Sequence, residues 1–481
     1  MARTDTLAHY LTDVADAIRA KAGTTGTIQA SAFDTAIAAI PSGGGGLSLP
    51  QSKKDVNFYD YDGSLLYAYS STDFLALTEL PDNPTHTGLT AQGWNWTLTD
   101  AKEFVTDNGW CDIGQLYVTD DGKTRIYIHV IGETKDLYIS LYNTTASASV
   151  VIDWGDGNTQ TQSLQVNSTT SDYSNNIHHE YTNEGDYVIT LSSTTRIGFK
   201  TGGYGSVSFI NNGTINNSTQ DANRTHNLII KRIEIGNNFL ASDYCFSGSK
   251  TMEYITLPNN IINSTSDSSL YSVYRWFTYC ENLKSIIVPP ADSISGIGSF
   301  MRGIRKVVFP YMTSFSWSQP FFCWEAIDDL NISVKKSSIS SSTQPTQVFY
   351  QCRYLQSFKL PAGLTKIGSN FFYYCEHLYE IVFPSSVNYV GDAIIDSNNS
   401  TQIIRFLGNV TSFQSNAFQG TNSLRVLDLR YCTSVPILNT AIYHANSFKI
   451  VVPDSLVNTW KAASNWSTYS SYIVSLSNYL S

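Results

Sequence analysis

At 481 residues the chain exceeds what one ordinary core accommodates, so several domains or one long repeat array is the expected layout. Apolar residues at 42% with 13% aromatics exclude a disordered chain. A net charge of −10, a pI ≈ 5.2 and no basic stripe argue against nucleic acid or an anionic membrane as partner.

Residues 4–22 read as an amphipathic helix, because Leu7, Leu11, Val14 and Ile18 fall on one stripe. A second short helix, about Ala30 to Ile40, groups Phe33 and Ile37. Helices this small need a partner surface. Residues 1–41 are therefore expected to anchor the chain in a larger assembly or to self-associate, as a homotrimer for example, through those six side chains. Residues 42–50, with four consecutive glycines, form a flexible linker. The N-terminus lacks the apolar core of a signal peptide. No stretch approaches the ~20 apolar residues of a spanning helix, so no membrane insertion is expected.

Residues 51–131 read as a small α+β module. A hairpin from Val56 to Tyr69 turns at Asp62-Gly63, helical segments cover Ser71 to Leu77 and Thr99 to Thr106, and a second hairpin over Asp121-Gly122 closes the unit. Trp94 and Trp96 are expected in its core. Residues 132–195 alternate as strands, residues 196–227 read as a bridge, and residues 453–481 as a cap. Between them, residues 228–452 repeat one phrase, as in Leu355 to Pro361, Leu378 to Pro384 and Leu424 to Arg430. Pro361, Pro384, Leu407, Arg430 and Pro453 close successive copies at a constant step of 23 residues. A period in the twenties signals a solenoid, since no unit buries its apolar face alone. Ser340 to Thr343 lies in a unit five residues longer.

With strand, proline, aromatic and cysteine recurring together (Phe349 to Cys352, Phe372 to Cys375), the repeats resemble the BspA-type leucine-rich repeat. Val150 to Gly157, with its Trp-Gly-Asp-Gly turn, and His179 to Leu191 resemble the paired signatures of a PKD-type β-sandwich, which implies that turn and strand pack together. The start of the chain (Leu11 to Lys21, Phe33 to Ile40) and the block from Val56 to His129 resemble parts of phage and prophage tail or appendage proteins. The expected fold is mainly β and multidomain: helical anchor, small α+β module, PKD-like β-sandwich and C-terminal BspA-type leucine-rich-repeat solenoid.

Chemistry is sparse. The acidic turns Asp60/Asp62 and Asp153/Asp156 lack the remaining ligands of a calcium loop and read as turn formers. His178 and His179 point to opposite faces of a strand, which makes His179 a core histidine and not half of a metal pair. Nucleophile elbow, P-loop and dinucleotide fingerprint are missing. The seven cysteines fall largely at repeat turns and read as buried thiols. No catalytic residue, cofactor or metal is assigned.

What remains is surface. The outward strand column Thr256, Ile287, Val308, Asn331, Lys359, Val382, Arg405, Asp428 and Val451 is half apolar. It is expected to pack on another subunit or coil or to serve for recognition, with Lys359, Arg405 and Asp428 solvated. The turn aromatics Tyr279, Tyr350, Tyr373 and Tyr374, and the cluster Trp317, Phe321, Phe322 and Trp324, are candidates for stacking on sugars, against core packing as the alternative. The expectation is a non-enzymatic virion appendage, assembled in the host cytoplasm. It docks on virion structural proteins by its N-terminal helices and presents the solenoid to a bacterial surface glycan or protein. A bacterial cell-surface adhesin and a head fibre or capsid decoration protein are the alternatives.

Overall fold

The computed structural model describes residues 52–167, 174–202, 207–211, 226–259, 261–263, 272–291 and 293–480. Leu7, Leu11, Val14, Ile18, Phe33 and Ile37, expected to anchor the chain, lie outside them. Lys53–Ser481 forms one unit. No helix among the described residues is long and apolar enough to cross a membrane.

The small module begins with the hairpin of β1 (Val56–Tyr59) and β2 (Leu65–Tyr69), which turns through Gly63 at φ +85°. Helix α1 (Ser71–Ala76) starts at Ser70, whose hydroxyl accepts from the Asp73 amide. Strand β3 (Leu89–Trp94) precedes α2 (Leu98–Asn108), which is capped by Thr97 and ended by left-handed Gly109. Strand β4 (Cys111–Thr119) lies between β1 and β3. Phe58, Phe74, Trp96, Phe104 and Ile113 make the core beneath. Trp94 packs edge-on against Phe58 at 4.8 Å.

The turn at Gly122 does not close a second hairpin, contrary to expectation. Strand β5 (Thr124–Val130) leaves the module and pairs with β10 (Gly185–Ser192) across its whole length. One sheet of the sandwich runs β8 (Thr159–Ser163), β7 (Ser149–Asp153), β10, β5 and then β13 (Ile230–Glu234) and Tyr254–Thr256, the first solenoid strands. The other is built on β6 (Asp136–Asn143), flanked by β9 (Asn176–Glu180), β11 (Ile197–Phe199) and β12 (Ile210–Asn211). The stretch read as a bridge thus supplies two sandwich strands. At the sandwich core the Trp154 and His179 rings stack at 4.4 Å and 7°, and the Tyr181 hydroxyl donates to the Trp154 carbonyl at 2.8 Å. His179 Nε2 lies 2.9 Å from Asp156.

In the solenoid each unit adds a strand to a parallel ladder, as Glu380–Phe383, Ile403–Phe406, Val426–Asp428 and Lys449–Val452 show in register. A second ladder joins Lys366–Ile367, Tyr389–Val390, Ser412–Phe413 and Ile437–Leu438. Between the ladders the chain turns through left-handed residues that also repeat every 23: Gln351, Tyr374, Ser397 and Gly420 at φ 59°, 56°, 64° and 77°. A left-handed turn costs a side-chain-bearing residue ~1–2 kcal/mol, so packing holds these corners. One apolar core runs from Ile126 in the sandwich to Ile473 in the last strand. The sandwich covers the first open coil. At the other end Ile473–Ser475 adds a final parallel strand, with α3 (Val457–Ala462) and α4 (Leu476–Leu480) on either side of it in the chain. Trp460 and Trp466 are fully buried there, 4.6 Å apart.

All seven cysteines are free and buried. Three thiols tie coil to coil, Cys280, Cys352 and Cys375 donating to the carbonyls of Phe246, Phe321 and Phe349 at 3.3, 3.3 and 2.9 Å. Burial pushes every solenoid thiol up, those of Cys323 and Cys432 to about 11. A thiol-specific aromatic disulfide is therefore expected to label fewer than about one of the seven in minutes on the native chain at pH 8, and all seven after unfolding. Rapid native labelling of several would overturn the buried column.

Candidate functional site

The outward strand column divides into a covered and an open part. Over the early coils it is covered by the chain's own module, neither a recognition face nor a contact with another subunit. Ile287 and Val308 pack with Tyr59 and Leu116 in a small apolar cluster, and a Cβ on Gly114 would fall 2.3 Å from Ile287. The module also bonds successive coils through their main chain. The Thr119 and Tyr117 amides donate to the carbonyls of Ile235 and Leu257 at 3.2 Å each. Asn95 donates to Val288 at 2.9 Å, the Trp96 indole to Phe309 at 2.8 Å, and the Ala362 amide to Asn108 Oδ1 at 2.6 Å. Strand β4, the link from β3 into α2 and the end of α2 thus brace the coils from Ile235 to Ala362.

At the centre of this seam lies a buried charge pair. Lys306 Nζ is 2.7 Å from Asp112 Oδ2, which also accepts from Asn331 Nδ2 at 2.8 Å. The ammonium sits 4.0 Å from the centre of the Tyr59 ring. Burial works to raise the Asp112 pKa, but the Lys306 charge and the hydrogen bonds from Lys306 and Asn331 outweigh it and hold the carboxyl below its ordinary value. Lys359 belongs to the same seam, its ammonium 5.4 Å from the Trp110 ring, and is not on an open binding face.

Beyond the brace the strand face is open from Glu380 to Val426, while Val451 in the last coil is fully buried. Val382, Ile403 and Val426 are half-buried on the open part. Arg405 bridges Glu380 at 3.2 Å and Asp428 at 3.0 Å. Asp428, expected in solvent, is only 1% exposed, because it is clamped between Arg405 and Arg430, the latter at 2.7 Å. It holds the face together and offers no free carboxylate.

The turn aromatics form a ridge on another side. Tyr279 stacks on Phe300 (4.8 Å, 1°), Phe300 meets Phe322 edge-on, Phe322 stacks on Tyr350 (5.1 Å, 16°), and Tyr350 on Tyr373 (4.7 Å, 20°). Parallel stacking takes up both faces of Tyr350, between Phe322 and Tyr373, and one face each of Tyr279 and Tyr373, so Tyr350 does not offer the sugar platform expected of it. The stacked rings lock neighbouring coils instead. Phe321 and Trp324 are core residues, fully buried, with the Trp324 indole donating to Gly298 at 2.9 Å. Tyr374 differs. Its ring stands at 85° to Tyr373, it is 36% exposed, and it is stacked face to face on no ring among the described residues. It lines a hollow of ≈ 560 Å³ with Glu376, Ser397, Asn399 and Ser400.

The predicted surface residues therefore separate into a seam (Lys359), a clamp (Arg405, Asp428), a ridge (Tyr279, Tyr350, Tyr373) and a hollow (Tyr374). Phe300 was missed although it stands one repeat after Tyr279. The hollow's polar residues carry no sequence signature, because they converge only when adjacent coils stack.

Two parallel ladders, turn columns and one core make the C-terminal region a leucine-rich-repeat solenoid in a mainly β chain. Residues 211–302 and 342–463 match the BspA type Leucine rich repeat region, in six copies. Coils continue through the unmatched interval, where Lys306–Val308 pairs with Ser285–Ile287 and Asp329–Asn331 with Ser357–Lys359. A solved structure of a leucine-rich repeat protein from Bacteroides ovatus ATCC 8483 is similar at 18% identity, over 42% of this chain and 66% of that one, with a TM-score of 0.26. The chain thus spans just under two thirds of that protein's length. No curated protein matches the chain.

Proposed function

We propose that the chain is a non-enzymatic attachment protein, a phage or prophage virion appendage that docks by its N-terminal helices and presents the unbraced end of the solenoid to a bacterial surface. The observation that carries this reading is the division of the strand face. The module and sandwich secure the early coils, while the face from Glu380 to Val426 stays open, with half-buried Val382, Ile403 and Val426 between charged neighbours. BspA-type repeats are consistent with a surface-binding repeat protein. We also assign the sandwich to the PKD type, supported by the Trp154–His179 stack between its two signature motifs.

The test uses intact bacterial cells and assembled particles. The full chain is expected to bind cells of the host strain. A chain without residues 1–46 is expected to keep that binding but to drop out of particles. If the shortened chain still incorporates and the full chain is a monomer, the docking part of the proposal fails. Incorporation without cell binding favours a head fibre or decoration role, and export of the chain to the surface of its own bacterium favours an adhesin.

A further inference from the structure

We propose that the hollow beside Tyr374 is a carbohydrate subsite that takes a pyranose unit of a bacterial surface glycan; this deepens, and rests on, the attachment reading above. A pyranose has an apolar face of C–H groups and a rim of vicinal hydroxyls. It is recognised by an open aromatic face beside a few fixed hydrogen-bonding groups. The hollow supplies both. Its aromatic wall is Tyr374, set perpendicular to the ridge at a left-handed corner, φ 56°, and stacked in parallel on no ring among the described residues, whereas Tyr350 has both faces taken up by Phe322 and Tyr373.

The polar wall is equally specific. The Glu376 carboxylate is half-exposed, and its nearest cation, Arg353 Nε, stands 3.9 Å away, too far for a hydrogen bond. Its oxygens are therefore available to accept from sugar hydroxyls. Asn399 Oδ1 lies 3.5 Å from Asn422, while its amide nitrogen donates to no group among the described residues and remains free to donate to a ring or hydroxyl oxygen. The Ser400 hydroxyl is fixed on the Glu376 carbonyl, which ties the two coils together under the site. The carboxylate, the amide and the aromatic ring thus line one open hollow of ≈ 560 Å³. The stacked ridge holds the Tyr374 corner in place, so little ordering remains for binding to impose.

The experiment screens the full-length chain on a printed oligosaccharide array and then titrates it calorimetrically with the strongest responder. Tyr374→Ala is expected to lower affinity at least ~10-fold, whereas Tyr374→Phe, which keeps the ring face, stays within about threefold. Glu376→Gln is expected to weaken binding about fivefold or more with the fold unchanged. Failure of every oligosaccharide to bind, or unchanged affinity in both Tyr374→Ala and Glu376→Gln, overturns the subsite. Cell attachment that persists undiminished in Tyr374→Ala overturns the subsite and leaves the attachment function standing. Array binding without attachment to any intact cell overturns the attachment function and leaves the subsite standing.

Discussion

Replacing Lys306 with methionine is expected to destabilise the folded chain by about 3–5 kcal/mol, because it strands a desolvated carboxylate. Asp112 lies on β4 of the module and Lys306 on a solenoid strand, with side chains 6% and 9% exposed, so their 2.7 Å contact spans the seam. Asn331 and, at 3.3 Å, Asn57 also donate to the carboxylate, but neither carries the charge of the ammonium that contacts it directly. The double variant Asp112→Leu/Lys306→Met removes both charges and is expected to recover more than half of the loss, since an apolar pair of similar volume needs no solvation. Urea unfolding of the two single variants and the double variant measures the coupling. A single-variant loss under about 1 kcal/mol would show that water reaches the pair. The pH dependence has a fixed sign. The folded Asp112 pKa is depressed, so its stabilising effect is complete above the ordinary value of 3.8 and disappears as pH falls through the lower folded value. The double variant should lose that component of acid sensitivity.

How far the sequence could be read depended on whether a signal was local and periodic. Strand, closing proline and turn recur at a fixed step, so the ladder from Glu380 to Val452 was legible. So were the hairpin at Gly63, both module helices, and the pairing of Trp154 with His179, because each rests on chemistry within a few residues or on a paired motif. What escaped was contact between distant segments. The Asp121-Gly122 dipeptide is good hairpin chemistry, yet β5 is captured by β10 and β13, which offer it two partners inside a sheet. Apolar Ile287 and Val308 on an outward strand face announced a partner but not its identity, since Tyr59 and Leu116 lie more than 160 residues away. Asp428 looked solvated because charge is usually exposed, and only its two arginines bury it. The hollow needed stacked coils to exist at all.

Truncating Phe383 to alanine is expected to cost about 3–5 kcal/mol and, more tellingly, to loosen only one end of the molecule. Phe383 is fully buried and stacks on Phe406 of the next coil at 4.7 Å and 19°. In a solenoid each coil is stabilised by its neighbours alone, so a cavity weakens the junction where it sits. Up to Ala362 the module bonds the coils together through their main chain, whereas past it the strands Glu380–Phe383, Ile403–Phe406 and Val426–Asp428 pair with one another and with Lys449–Val452 and take no hydrogen bond from the module among the described residues. Hydrogen exchange should therefore show lost protection across those three strands while β5 and β10 of the sandwich keep theirs. The matching variant Phe309→Ala removes the same ring inside the braced region, where Trp96 donates to the Phe309 carbonyl, and should lower global stability without freeing one end. Equal loss of protection in sandwich and solenoid after Phe383→Ala would mean that the coils unfold as a single cooperative unit, with the brace playing no part in where the chain opens.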